Sequence, residues 1–298
     1  MGGLVAAALA RAGQPVCVIA SPSTARLIAE RGVQVDSVRM GRFTARPTAL
    51  SVLSADVDVL VVATKAVSLL DALKRIEGRP TLVVPLLNGV DHMTPLRRRF
   101  DGHPADHSVV AAGAIRVEAD RPSPGTVVQT SQFLRVDLAS DAEPLRPALA
   151  RLGELLEGAG VPARVLESEA QVLWSKLVRL NALACTTSAF ACSLGPIRST
   201  PALRGDLVAA VSEGVAVAHA EGARASTEEV MAELTEAHAT LGSSLARDIE
   251  AGRPPELDAI PGAVLRAAAR HGIPCPTIER LVSQIVRRTG LAAPRRQD

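Results

Sequence analysis

The first half of the chain places continuous apolar, β-branched runs at residues 15–20, 58–64, 81–87 and 108–115. Stretches of helical spacing, such as 24–31 and 67–76, separate them. A strand with one wet face alternates apolar and polar residues; a run that is apolar throughout suits a strand covered on both faces. Such strands alternating with helices predict a doubly wound α/β domain with a mostly parallel sheet. Residues 126–129 and 133–138 read as a later hairpin, and 164–166 as a short last strand. From about Glu167 the texture changes to alanine, leucine, glutamate and arginine at helical spacing. The expected division is an α/β domain over 1–165 and an all-α domain over 166–298, with a frayed tail from Ala293.

Composition narrows the function classes. A chain of 298 residues can hold two cores, because single cores stop growing at roughly 250–300 residues. A net charge of +2 gives no pull toward nucleic acid or an anionic membrane. Aromatics make up 2% with no tyrosine, so base-stacking platforms are not expected. No apolar run reaches the roughly 18–20 residues that span a bilayer, and no basic-then-apolar leader opens the chain. Cys17, Cys185, Cys192 and Cys275 form no CxxC pair and read as buried free thiols of a cytoplasmic protein. Asp101, His103, Asp106 and His107 lie in a Gly/Pro-punctuated stretch without a convergent further ligand, so no metal is expected there.

The opening, Met1 to Gly13, reads as a helix with a glycine stop, and the strand at 15–20 follows at once. In a doubly wound sheet the first strand is central. Its loss leaves interior backbone groups unpaired, at about 1–3 kcal/mol each. The expectation is that the first strand and most of a phosphate-binding loop lie upstream of Met1. Gly2 and Gly3 then read as the end of a GxGxxG loop, whose glycines let the backbone approach a pyrophosphate at a helix N-terminus. The plain alternative is a pair of small residues after an initiator methionine.

Three later segments carry candidate chemistry. Residues 172–190 project as a helix with an apolar stripe of Leu173, Leu177, Leu180 and Ala184. Lys176 falls inside that stripe, flanked by Leu180, Leu183 and Thr187, away from Ser175 and Arg179. Burying an ammonium is costly without a partner, so it is either tuned for proton transfer or snorkels at the stripe edge. Asn88-Gly89 follows the run at 81–87 directly, and Lys65 follows the run at 58–64. Ligands bind beyond the carboxyl ends of such strands; an ordinary Asn-Gly turn is the alternative. Glu256, after Pro254-Pro255, reads as the first turn of a helix, where an acid also simply complements the dipole. Ser244 reads equally as an ordinary helix-surface serine.

Together these residues resemble a known family. Asn88-Gly89, the run Leu173 to Leu177, Ser244, Pro255-Glu256-Leu257-Asp258 and Arg270 to Pro274 are similar, in order and spacing, to ketopantoate reductase (2-dehydropantoate 2-reductase). The resemblance implies a Rossmann-like doubly wound domain that binds NADPH and a helical domain, possibly a homodimer, with a small 2-oxo acid between the two domains. It implies reduction of 2-dehydropantoate in pantothenate biosynthesis. Lys176 would be the general acid. Gly2, Gly3, Lys65, Asn88, Ala119 and Glu256 would contact the cofactor. Asn88, Asn181 and Ser244 would contact the substrate.

The pattern departs from that family at several positions. Asparagines expected four and eight residues after the lysine are Leu180 and Ala184, with Asn181 one step off, about 100° around the helix. Leu194 and Pro261 also stand where asparagine is usual. These changes raise a paralogous reductase acting on a more apolar 2-oxo acid, beside a catalytically silent nucleotide-binding protein. Ser21 stands where an arginine for the 2′-phosphate is usual, with Ser23 and Arg26 nearby. No acid at that strand end favours NAD, so NADPH is expected.

Overall fold

A computed structural model describes residues 1–101 and 108–296. The chain divides into two compact units: Met1–Leu87 with His92–Val172, and Asn88–Asp91 with Leu173–Asp298.

The first unit runs α1 (Gly2–Arg11), β1 (Cys17–Ile19), α2 (Pro22–Arg31), β2 (Val33–Ser37), β3 (Gly41–Ala45), β4 (Thr48–Leu50), β5 (Val57–Val62), α3 (Leu69–Leu73), β6 (Pro80–Pro85), α4 (Met93–Phe100), β7 (Ala112–Asp120), β8 (Thr126–Ala139), α5 (Arg146–Gly158) and β9 (Ala163–Leu166). The parallel pairs β1–β4, β5–β6, β2–β8 and β8–β9 give it the expected Rossmann-like character. Among the described residues β1 pairs only with β4, and β5 only with β6. Val59, Leu60 and Val61 of β5 are accordingly half-buried. The core gathers Leu4, Val5 and Ala8 of α1 with Val33, Ile115, Val136, Leu138 and the α5 leucines. Each fully buried leucine there contributes roughly 1.5–3 kcal/mol.

Several expectations are corrected. Residues 126–129 and 133–138 form no hairpin with each other; they are one strand, β8, which pairs antiparallel with β7 across a bulge between Val117 and Ala119. The bulge absorbs the polar break that suggested a turn. The run at 108–115 begins as a loop: its strand is β7, tied to β6 by the bridge Val83↔Val110. The hairpin β2–β3 carries polar residues and gave no continuous apolar run. The four cysteines are free, but Cys17 is exposed and Cys192 half-buried, because β1 is a short edge strand and Cys192 follows a helix end.

The rest is helical: α6 (Glu169–Phe190), α7 (Leu194–Ser199), α8 (Pro201–Ala220), α9 (Thr227–Glu236), α10 (Ser244–Glu250), a π turn (Asp258–Gly262), α11 (Ala263–His271) and α12 (Pro276–Thr289). The division between the units falls inside α6, after Val172. Beyond it Trp174, Leu177, Val178 and Ala182 are buried, and Gly214 of α8 comes close enough that its Cβ would touch Val178 at 3.5 Å. Ala191, at φ 51°, ends α6. The tail is not frayed through residue 296: Arg295 donates to Asp258 from its backbone at 2.8 Å and from its guanidinium at 2.7 Å. Gln297 and Asp298 lie outside the described residues.

Candidate active site

In the α/β unit two of the residues assigned to a cofactor, Gly2 and Gly3, form the amino end of α1. A Cβ on Gly2 would stand 2.9 Å from Ala63 Cβ, and one on Gly3 would stand 3.0 Å from a Val127 methyl. Neither position has room for a side chain, so α1 enters close against the end of β5 and against β8. Lys65 follows Ala63 by two residues and is half-buried. Between them lies Thr64, whose hydroxyl is buried with no hydrogen-bond partner among the described residues. Ala119 of β7 is half-buried and pairs with Gln129, two residues along β8 from Val127. Ser21 caps α2 by accepting from Thr24 N at 3.4 Å, and its hydroxyl also meets those of Ser23 and Thr24.

In the helical unit Asn88 and Glu256, 168 residues apart, meet directly: Asn88 Nδ2 donates to Glu256 Oε2 at 2.8 Å. Gly89 makes the meeting possible. Its φ is 80°, and a Cβ there would lie 2.0 Å from the Ala259 carbonyl oxygen. Glu256 stands just before the helical turn, not inside it, and its carbonyl accepts from Ile260 N at 3.0 Å. The next carbonyl, on Leu257, cannot be used by Pro261, which has no N–H. Gly262 N takes it at 3.1 Å, and the helix opens into a π turn. Such turns recur at functional sites.

Lys176 is half-buried on α6, as are Ser175 and Arg179 beside it. Thr187, eleven residues on, lies on the same helix face. It is hydrogen-bonded to Ser243 at 2.8 Å, which sets the start of α10 against that face. Ser243 is the buried cap of α10, accepting from Ala246 N at 3.0 Å. Ser244 is half-buried, and no hydrogen bond to its hydroxyl occurs among the described residues. Asn181 is fully buried; its Oδ1 accepts from Cys185 and its Nδ2 has no partner among the described residues. Ala184 and Leu194 are also fully buried. The substrate assignment of Asn181 therefore meets an amide enclosed in the helical core.

Electrostatics concentrate beside Glu256. Burial alone would raise the Asp258 carboxyl, but hydrogen bonds from Arg295 and Arg266, and the Arg266 charge, hold it below the usual carboxylate range. Arg266 also bonds Asp91 at 2.6 Å. Sequence reading missed this cluster, because Asp91 and Arg266 lie 175 residues apart and each alone is an ordinary surface charge. The Thr187–Ser243 bond, across 56 residues, was missed for the same reason. No group of three or more His, Cys, Asp or Glu able to hold a metal occurs among the described residues. His103, Asp106 and His107 lie outside them. Asp101 accepts from Ser108 and from Val109 N at 3.0 Å, a loop-shaping role. No helix among the described residues is long and apolar enough to cross a membrane.

The fold is thus a Rossmann-like unit followed by an all-α unit, and comparison with known proteins gives its class, that of oxidoreductases. Residues 1–139 match the family model "Ketopantoate reductase PanE/ApbA", and residues 170–288 match its C-terminal counterpart. The 2-dehydropantoate 2-reductase of Caulobacter vibrioides is 32% identical over 77% of this chain and 77% of its own length. "Uncharacterized oxidoreductase YkpB" of Bacillus subtilis is 24% identical over 96% of this chain and 94% of its own. Among solved structures, 2-dehydropantoate 2-reductase from Geobacter metallireducens superposes with a TM-score of 0.85 at 23% identity, covering 97% of this chain and 96% of that one. D-mandelate dehydrogenase with NADH and anilino(oxo)acetate gives 0.85 at 21% identity, covering 97% and 95%. The chain belongs to the ketopantoate reductase family.

Proposed function

We propose that this chain reduces a small 2-oxo acid, 2-dehydropantoate foremost, with NADPH, and that Lys176 is its general acid. The observation that carries the reading is the half-buried Lys176 on the apolar face of α6. An ammonium kept partly out of water is a stronger proton donor to a nearby oxyanion than one in bulk solvent.

The α/β unit fits a dinucleotide. Gly2 and Gly3 form the first turn at the amino end of a helix, where N–H groups and the dipole favour a pyrophosphate. The orphaned Thr64 hydroxyl and the Lys65 ammonium add a donor and a charge past β5. After β1 stand Ser21, Ser23 and Arg26 and no acid, which supports a 2′-phosphate over a free 2′-hydroxyl. When bound, the nicotinamide supplies the hydride that adds to C2 of the 2-oxo acid.

The chain's own residues supply the rest. As the C2 carbonyl becomes an alkoxide, Lys176 Nζ gives it a proton, and the product leaves as the 2-hydroxy acid. Ser244, with its hydroxyl uncommitted among the described residues, donates to the substrate carboxylate. Glu256 orients Asn88 through the 2.8 Å bond and accepts from substrate hydroxyls. Asn88 presents its amide to substrate and cofactor.

A second reading has its own support. Leu180, Ala184 and Leu194 are apolar, and Asn181 is enclosed, so fewer polar groups remain for a hydroxylated substrate. A 2-oxo acid with an apolar or aromatic substituent makes less demand on such groups. The mandelate enzyme, similar in fold, is solved with NADH and anilino(oxo)acetate. A panel of 2-dehydropantoate and phenylglyoxylate, each with NADPH and NADH, followed by nicotinamide absorbance, tests both. The first reading expects fastest turnover with 2-dehydropantoate and NADPH. Faster turnover of phenylglyoxylate favours the second. Cofactor binding without turnover of any 2-oxo acid would leave a silent nucleotide-binding protein.

A further inference from the structure

Asn88–Asp91 belongs to the helical unit, although the residues on either side of it in the chain belong to the α/β unit. Three contacts hold this short segment. Asn88 donates to Glu256. Gly89 lies against the Ala259 carbonyl. Asp91 accepts from Arg266, through Nε at 3.2 Å and a terminal nitrogen at 2.6 Å. The same guanidinium donates to the Asp258 carboxylate and to the Asp258 carbonyl, each at 2.8 Å. It also donates to the carbonyl of Arg295 at 2.8 Å, so every nitrogen of the group is engaged. Its side chain is 14% exposed, whereas that of Asp91 is 44% exposed. Arg266 is thus the enclosed hub, and Asp91 the outer handle of the segment.

Arg266 can reach Asp258 squarely because of the π turn between them. Eight residues of regular helix leave two side chains about 80° apart around the axis. The π turn absorbs one extra residue, which retards everything after it by about 100°. Arg266 then falls within about 20° of Asp258, as though seven residues separated them. Pro261 imposes the turn by refusing the Leu257 carbonyl. Gly262 lets the tail close over the result, since a Cβ there would stand 2.8 Å from Pro294.

We propose that Arg266, aimed by the π turn at Pro261, is a positioning residue that fixes Asn88–Asp91 against the Glu256 segment and so holds the Asn88–Glu256 pair. Its consequence for turnover rests on the reading of Asn88 and Glu256 given above. A planar fork that serves two carboxylates and two carbonyls at once is work a lysine cannot repeat.

The test is hydrogen exchange on the full chain, read peptide by peptide, for wild type, Arg266→Ala, Arg266→Lys and Asp91→Asn. Arg266→Ala raises exchange within 89–91 at the amide of the buried Gly89, by about tenfold, the size of coupling neighbouring residues show. α8 and α12 stay protected. Arg266→Lys falls between, and Asp91→Asn, a change at a half-exposed site that leaves the π turn intact, reproduces the loosening if Arg266→Ala does not fold. Pro261→Ala, which restores a donor for Leu257, loosens the same amide. Even loosening across the whole helical unit, or none at 89–91, overturns the proposal.

Kinetics give the second arm. Arg266→Ala lowers kcat more than it raises KM, and adds little to Asn88→Ala in the double variant, because both act through one pair. Full additivity, or selective loosening with kcat unchanged, overturns the positioning role. A wild-type chain that reduces no 2-oxo acid removes the proposed activity, and the exchange arm alone then decides whether Arg266 holds the segment.

Discussion

In the α/β unit the candidate residues are fixed by backbone packing: Gly2 and Gly3 by contact with Ala63 and Val127, Ala119 by strand register. In the helical unit they are fixed by side chains that come from far apart in sequence: Asn88 with Glu256, Asp91 with Arg266, Thr187 with Ser243. The two modes fail in opposite ways. A backbone-packed site is damaged by adding atoms, and a side-chain network by removing them.

The largest expected effect lies in the helical unit. Lys176→Ala should lower kcat by roughly 10²–10⁴-fold, the usual contribution of a positioned acid, with NADPH affinity unchanged by fluorescence titration. Equal turnover would end the assignment of the acid. A parallel loss of cofactor affinity would show instead that the two units do not divide the work as described.

Next come the glycines, where the contrast can be broken within one unit. Gly89 is a point in the helical unit's network fixed by its own backbone, with φ 80° and the Ala259 carbonyl in the way. Gly89→Ala should cost roughly 1–3 kcal/mol in strain and lower the melting temperature accordingly. Gly2→Ala meets the Ala63 Cβ at 2.9 Å, a milder clash than the 2.0 Å approach to a carbonyl oxygen at Gly89. It should cost less stability yet weaken NADPH binding more. If Gly2→Ala is the more destabilising of the two, close approach of α1 is structural and the cofactor role of that turn loses its support.

How much of this the sequence disclosed follows from the same contrast. The α/β unit was legible because buried parallel strands write themselves as apolar runs, and α6 because its stripe has a helical period. Lys176 stood out as a cation in that stripe. The β8 strand was misread as two, since a bulge and a turn both interrupt an apolar run with polar residues. The Asp91–Arg266–Asp258 cluster had no local signature: its members are unremarkable charges until the chain folds. Pro261 was visible as an oddity, but its effect, a register slip that turns α11, depends on which carbonyl loses its donor.

Smaller effects separate two neighbouring serines. Ser244→Ala should raise KM for the 2-oxo acid about tenfold, equivalent to one lost charge-assisted hydrogen bond, and leave stability alone. Ser243→Ala removes the α10 cap and the bond to Thr187, so it should cost about 0.5–2 kcal/mol of stability and leave KM alone. An exchange of these two outcomes would move the carboxylate contact from Ser244 to Ser243.

The smallest effects concern pH, and here the units should bend in opposite directions. Asp258, in the helical unit, has its carboxyl held down by Arg295 and Arg266 against the opposing effect of burial. Its stabilisation is complete above the ordinary aspartate value of about 3.9 and is lost as pH falls through the depressed folded value. Glu169, in the α/β unit, is raised chiefly by burial, which the Arg97 charge and hydrogen bond only partly offset. Its contribution is complete below the ordinary glutamate value of about 4.3 and is lost as pH rises through the raised folded value. Thermal melts from about pH 3 to pH 7 should therefore show the wild-type advantage over Asp258→Asn growing with pH, and the wild-type advantage over Glu169→Gln shrinking. Because Asp258 is partly exposed and screened, its slope should be the shallower, and it should flatten in high salt. Two slopes of the same sign would mean that one of these carboxylates is not held as its neighbours indicate, and Asp258, whose partners include the C-terminal tail, would be the first to re-examine by truncating residues 291–298.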